Sequence, residues 1–303
     1  MEKYIARDKD LYLAFIDLRA AFDTVPHHAI WNALKSKNIP TNLIKKIKVL
    51  FKNTEGVVRA GSKQSQTFEI KNGIKQGDSL SPLLFTLVMD EILKECKEKT
   101  PKTKIGNWKL KPIYVQALLF ADDIVLLADT ETKLQKSVAE WTRRIENTGM
   151  EINQKKSKVM LVSKKPEGKR LRVECKEEAL ETVTEYNYLG TIIYHDGRID
   201  REITNRVRKA TNSYYVIYNT IFGKKEIEKR TKTRIYESVI EPSLLYGCES
   251  WPTQQKHLSK VNAVQMKVLR KIEGKTRRDR IRNTRIRSEL KQKPVEEKIT
   301  SKQ

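Results

Sequence analysis

Val115-Gln-Ala-Leu-Leu-Phe120-Ala-Asp122-Asp123-Ile-Val-Leu-Leu-Ala128 sets two adjacent carboxylates in the middle of an otherwise apolar stretch. Ile113–Phe120 and Ile124–Ala128 read as two short apolar strands, separated only by Ala121-Asp122-Asp123. Desolvating neighbouring carboxylates is costly unless they are paired or bound to a cation. An exposed, inert Asp-Asp turn is the plain alternative, because turns favour aspartate. Leu11-Tyr-Leu-Ala-Phe-Ile-Asp17 weakens that alternative: a separate buried strand also ends in a carboxylate, which a neighbouring strand can set beside the pair. Three such groups suit hard divalent cations, and two Mg²⁺ held ~3.5–4 Å apart clamp the attacking and leaving oxygens of a phosphoryl transfer.

The rest of the composition agrees with that chemistry. The 303 residues carry 61 Lys+Arg against 38 Asp+Glu, a formal charge of +23 that calls for an anionic partner, most commonly nucleic acid. Of this, 26 basic and 11 acidic residues fall in Arg201–Gln303, with Gly274–Lys293 the densest stretch. No apolar run approaches the ~20 residues that span a bilayer, and the charged start is no secretory signal. Cys96, Cys175 and Cys248 are too scattered for a disulfide framework or a zinc pattern, and His27, His28, His195 and His257 add none. A reducing compartment follows.

Along the chain, Asp23 offers a cap and Pro26 a helix start, with Ile30, Ala33 and Leu34 recurring at helical spacing. Helices are expected over Asn42–Phe51, Ser81–Lys97 and Thr132–Thr148, a hairpin over Val57–Ala60 and Thr67–Ile70, and a strand over Lys158–Ser163. Lys164–Glu181 reads as a loop or exposed hairpin. Basic helices follow from Gly197, broken near Gly223 and Pro242.

At this point the residues resemble a family. Phe15-Ile-Asp17-Leu-Arg-Ala-Ala-Phe22-Asp23 is similar to motif A of non-LTR (LINE-type) retrotransposon reverse transcriptases. Gly73-Ile-Lys-Gln76-Gly77-Asp-Ser-Leu-Ser81-Pro82-Leu-Leu-Phe85 resembles motif B, and Phe120-Ala-Asp122-Asp123 motif C. Gly149-Met-Glu-Ile-Asn153-Gln-Lys-Lys156-Ser157-Lys158 resembles motif D and Tyr188-Leu189-Gly190 motif E, all in order over Leu11–Thr191. The resemblance implies that Asp17, Asp122 and Asp123 are catalytic and ligate two Mg²⁺ (Mn²⁺ as the substitute ion), Asp17 and Asp122 most directly. It implies that Phe22 is a steric gate against a ribose 2′-hydroxyl, with a plain core aromatic as the alternative. Gln76 and Gly77 would line the incoming nucleotide and template, Lys156 would approach the triphosphate, and Tyr188, Leu189 and Gly190 would form the turn that holds the primer end. Asp23 is expected as a helix cap rather than a catalyst.

The expected fold is α/β (α+β): a polymerase palm of antiparallel strands backed by helices over residues 1–193, then an α-helical thumb-like region over 194–273 and a basic, flexible tail over 274–303. The expected function is RNA-directed DNA synthesis, with an RNA template, a DNA primer and a dNTP as partners and no membrane. The family lifestyle implies an intracellular location, cytoplasmic or nuclear. Motif A begins close to the first residue and position 20 is alanine where many relatives have lysine, so the chain reads as N-terminally truncated, with the fingers largely missing and no preceding endonuclease domain. One rival is an inactive remnant that only binds nucleic acid; another is an RNA-dependent RNA polymerase, against which Phe22 argues.

Overall fold

Strand pairing in the computed structural model, which describes residues 1–52, 54–105, 112–164, 169–252 and 254–303, brings the two decisive stretches side by side. By its internal contacts the chain divides into two compact units, Met1–Tyr186 with His195–Gly197, and Asn187–Tyr194 with Arg198–Gln303.

The first unit is built on a five-stranded sheet of β1 (Leu11–Ile16), β2 (Ala117–Phe120), β3 (Asp123–Ala128), β4 (Lys158–Val162) and β5 (Glu181–Thr182), in the order β5-β4-β1-β3-β2. β1 is central and all six of its residues are buried, which explains why it reads as a continuous apolar run rather than an alternating one. It pairs antiparallel with β3, Ile16 opposite Ile124, and with β4, Phe15 opposite Lys158. The short β5 joins β4 in parallel.

Helices α1 (His27–Ser36), α2 (Thr41–Phe51), α3 (Ser81–Lys99) and α4 (Glu131–Thr148) back this sheet. In α4 the buried set Leu134, Val138, Trp141 and Ile145 recurs every three or four residues and makes one apolar stripe. Thr130 caps the helix, its side chain accepting from the Lys133 N–H at 3.2 Å. The hairpin after α2 is two short ladders, Glu55–Gly56 with Phe68–Glu69 and Arg59–Ala60 with Lys63–Gln64, so its strands are shorter than expected. Of the 164–181 segment, 165–168 lie outside the described residues. Beyond them a small hairpin pairs Glu174–Cys175 with Glu178–Ala179, and Leu171, Val173, Cys175 and Leu180 are buried rather than exposed.

The second unit contains the turn at Leu189 and Gly190 between strands β6 (Glu185–Tyr188) and β7 (Thr191–Tyr194). Its helices include α5 (Asp200–Val216), α6 (Gln255–Ile272), α7 (Asn283–Glu289) and α8 (Val295–Thr300). Two π-helical turns, Tyr218–Phe222 and Tyr236–Ile240, lie between α5 and α6, the first stopping at Gly223. Pro242 does not break a helix; Glu241–Leu244 runs through it directly after the π-helical turn Tyr236–Ile240. The segment expected as a flexible tail is folded: Ile286, Leu290, Val295 and Ile299 join Ile203, Tyr236, Val261 and Leu269 in one apolar core. Among the described residues no helix is long and apolar enough to cross a membrane.

Candidate active site

Pairing of Ile16 with Ile124 puts Asp17 one step past the end of β1, beside Asp123 at the start of β3. Asp122 precedes it in the two-residue turn that closes β2 onto β3, where Phe120 opposes Asp123. Ala121, the other turn residue, has φ +52°, a left-handed backbone that alanine adopts at a cost. Asp17, Asp122 and Asp123 are half-buried, and each lies within the electrostatic reach of another.

Burial is the main force raising the Asp17 carboxyl above the ordinary aspartate range; the Lys156 ammonium opposes it, the Asp122 charge adds to it, and a hydrogen bond from Asn153 opposes it again. Asp123 is raised by burial, then by Asp122 and Asp17. Tyr186 stacks on Phe15 with ring centroids 3.9 Å apart, and its hydroxyl is raised by burial and by the charges of Asp123 and Asp17. The site carries negative charge that Lys156 offsets only in part. Among the described residues no three His, Cys, Asp or Glu side chains are gathered tightly enough to hold a metal ion as they stand. Three mutually repelling carboxylates are nonetheless a hard-oxygen donor set of the kind Mg²⁺ takes.

Asp17 is fixed through its backbone by the loop before β4. Its N–H donates to Ser157 Oγ at 3.1 Å and its carbonyl accepts from the Asn153 N–H at 2.8 Å. Leu18 bridges Ile152, and the Arg19 N–H donates to the Glu151 carbonyl at 2.8 Å. Asn153 Oδ1 also accepts from the Lys156 N–H at 3.3 Å, which turns the loop so that Lys156 follows the carboxylate. In this loop the motif resemblance assigns a role to Lys156 alone. Asn153 is signalled only by the Asn-x-x-Lys spacing of an Asx turn, and Ser157 by nothing short of its burial.

Phe22 is half-buried and stacks on Phe85 with centroids 4.8 Å apart, so its ring is packed against the core on one side. The motif B segment is tied to the same stretch: Gly73 N–H donates to the Val25 carbonyl and Ile74 N–H to the Phe22 carbonyl, both at 2.8 Å. A Cβ on Gly73 would lie 2.6 Å from the Asp23 carbonyl oxygen, and its φ is +86°, so only glycine fits this approach. Asp23 is not a helix cap; it lies inside the short helix Ala21–Thr24, whose cap position is Ala20, and its carboxylate accepts from Gln76 Nε2 at 3.2 Å. Gln76 and Gly77 are exposed, and Gln76 lines a cleft of about 560 Å³ with Asp23, His27, Phe51 and Phe68. Tyr188, Leu189 and Gly190 belong to the second unit, where Leu189 (φ +48°) and Gly190 (φ +78°) form a left-handed hairpin turn.

Residues 2–193 match the reverse transcriptase (RNA-dependent DNA polymerase) family. A Pol polyprotein of the type-1 retrotransposable element R2 from Nasonia vitripennis is 29% identical over 204 residues, covering 64% of this chain and 19% of that protein. A probable RNA-directed DNA polymerase from the Drosophila melanogaster transposon X-element is 25% identical over 301 residues, covering 94% of this chain and 30% of that protein. The chain therefore spans under a third of the length of each of these relatives. Among solved structures, telomerase from Candida albicans in complex with a fragment of telomeric RNA aligns with a TM-score of 0.49 at 13% identity, over 87% of this chain and 39% of that one.

Proposed function

The chain belongs to the reverse transcriptase family, and from that premise we propose that its first unit carries the nucleotidyl-transfer centre of an RNA-directed DNA polymerase acting on an RNA template, a DNA primer and a dNTP. The observation that carries this reading is the register that seats Asp17 beside the Asp122-Asp123 turn. Asp17, Asp122 and Asp123 would hold two Mg²⁺, which supply activation of the primer 3′-hydroxyl and charge neutralisation on the triphosphate. The chain's own groups do the rest. The Asn153–Ser157 loop fixes Asp17, and Lys156 meets negative charge on the departing pyrophosphate. Phe22, rigid against Phe85, leaves no room for a 2′-hydroxyl. Gln76, steadied by Asp23, lines the nucleotide and template with Gly77.

The helical unit supports a nucleic-acid partner. A groove of about 680 Å³ between α5 and α6 is lined by Lys260, Lys267, Lys271, Lys275 and Arg277 with no carboxylate among its lining residues. Lys267 Nζ sits 4.4 Å from the Tyr215 ring centroid and Lys271 Nζ 5.0 Å from that of Tyr218. Cations laid over aromatic rings suit a phosphate backbone and its bases.

Primer extension on an RNA template with Mg²⁺ tests the reading. The parent chain extends the primer with deoxynucleotides, and Asp122→Ala lowers the rate by about 100-fold or more, as loss of a charge-stabilising group does. Extension by Asp122→Ala equal to the parent, or no extension by the parent, overturns it; equal use of ribonucleotides overturns the role of Phe22.

A further inference from the structure

The turn at Leu189–Gly190 is held from outside the hairpin. Tyr246 Oη donates to the Leu189 carbonyl at 2.7 Å, Arg206 Nη2 donates to the Gly190 carbonyl, and the Ile192 N–H donates to Glu202 Oε2 at 3.0 Å. Arg206 Nε in turn donates to Glu202 Oε1, and its guanidinium lies 4.5 Å from the centroid of the Tyr246 ring. A hairpin turn ordinarily leaves such outward groups to water. Here the Gly190 carbonyl and the Ile192 N–H meet an ion pair whose residues are 5% and 0% exposed, although burying an ion pair is poor value for stability compared with apolar packing. What the arrangement does supply is position. Both charges are used up on the turn and on each other, so neither is left to bind a ligand.

We propose that Glu202, Arg206 and Tyr246 are positioning residues that fix the Leu189–Gly190 turn in the geometry it needs to seat the primer's 3′ end. This rests on the polymerase reading, in which that turn contacts the primer. Arginine is required at 206 because only a planar fork reaches Glu202, the Gly190 carbonyl and the Tyr246 face together. Tyr246 is half exposed, so its hydroxyl can be removed without opening the core.

The test uses the full chain with two RNA–DNA hybrids, one with a recessed primer 3′ end and one blunt. Tyr246→Phe removes one tether. The double substitution Glu202→Met with Arg206→Met removes the others without stranding a buried charge. Tyr246→Phe is expected to bind the recessed hybrid about five-fold more weakly, the scale of one missing hydrogen bond, and the double variant, which loses two, at least as weakly, each raising the primer KM in step. The dNTP KM, kcat at saturating primer and the affinity for the blunt hybrid stay within about two-fold, and the melting temperature confirms a folded chain. Unchanged affinity for the recessed end in either folded variant, or a dNTP KM that rises equally, overturns the proposal. Should the double variant unfold, Tyr246→Phe decides alone. A parent that binds the recessed end selectively but never extends it sinks the polymerase reading, while the same loss in the variants still supports the clamp.

Discussion

Asp123 sets burial against ionisation at a single residue. Its carboxyl is raised in the folded chain by burial and by two neighbouring negative charges, so ionising it opposes folding. The sign follows from linkage: stability is greatest below the ordinary aspartate value near ~4 and falls as pH rises towards the higher folded value. Metal-free Asp123→Asn is therefore expected to melt above the parent at pH 7, with the gap closing at pH 4. Mg²⁺ should raise the parent's melting temperature more than the variant's, and differential scanning fluorimetry across pH and Mg²⁺ reads both effects. Ala121 stores strain of another kind through its φ of +52°. Ala121→Gly is expected to stabilise the chain by about 0.5–1 kcal/mol in urea unfolding, through relief of the left-handed alanine. The carboxylates themselves were legible in sequence because each interrupts or ends an apolar run. Tyr186 was not, since an aromatic residue on a short strand carries no mark of what it stacks upon.

At the scale of elements, β1 and the loop before β4 act as one unit. Ser157 is fully buried and accepts from the Asp17 N–H. Ser157→Ala is expected to cost about 1–2 kcal/mol by orphaning that donor, and to slow primer extension about ten-fold or more, as loss of a supporting partner does at metal centres. Urea melts paired with extension assays separate the two effects. Helix α5 is anchored differently: Asp200, in its first turn, accepts from Lys256 at 2.6 Å and His257 at 3.1 Å, chiefly Lys256 holding its carboxyl down at about 2. This depressed group stabilises the helical unit above the ordinary aspartate value, and the contribution is lost as pH falls from ~4 towards 2. Asp200→Asn should flatten that part of an acid-unfolding curve followed by circular dichroism. The element boundaries follow local rules where the pattern is strong, as in α3 and α4. Contacts with a remote partner follow no such rule: the i,i+4 spacing of Glu202 and Arg206 says nothing of the hairpin that both side chains grip.

At the scale of the whole molecule, the sheet unit was the more readable half because its buried strands are continuous apolar runs. The helical unit was obscured by its charge. Ile286, Leu290, Val295 and Ile299 come as two isolated i,i+4 pairs inside a run of arginine and lysine, too sparse to announce a core face, yet all four are buried. Binding of an RNA–DNA hybrid is expected to weaken steeply with salt, and a groove substitution such as Lys275→Ala should reduce the slope of log affinity against log salt by about one for each phosphate it no longer neutralises. Fluorescence anisotropy between low and moderate salt measures it; an unchanged slope for every lysine of the groove would remove that surface from the interface.

The packing of α7 and α8 has a practical corollary for protease mapping. Lys275–Arg280 is exposed, whereas the helices beyond it lie on the apolar core and Gln303 Nε2 donates to the Trp251 carbonyl at 2.8 Å. Brief trypsin treatment should nick the chain at this basic loop and release nothing, the two pieces co-eluting under native conditions and parting only in denaturant.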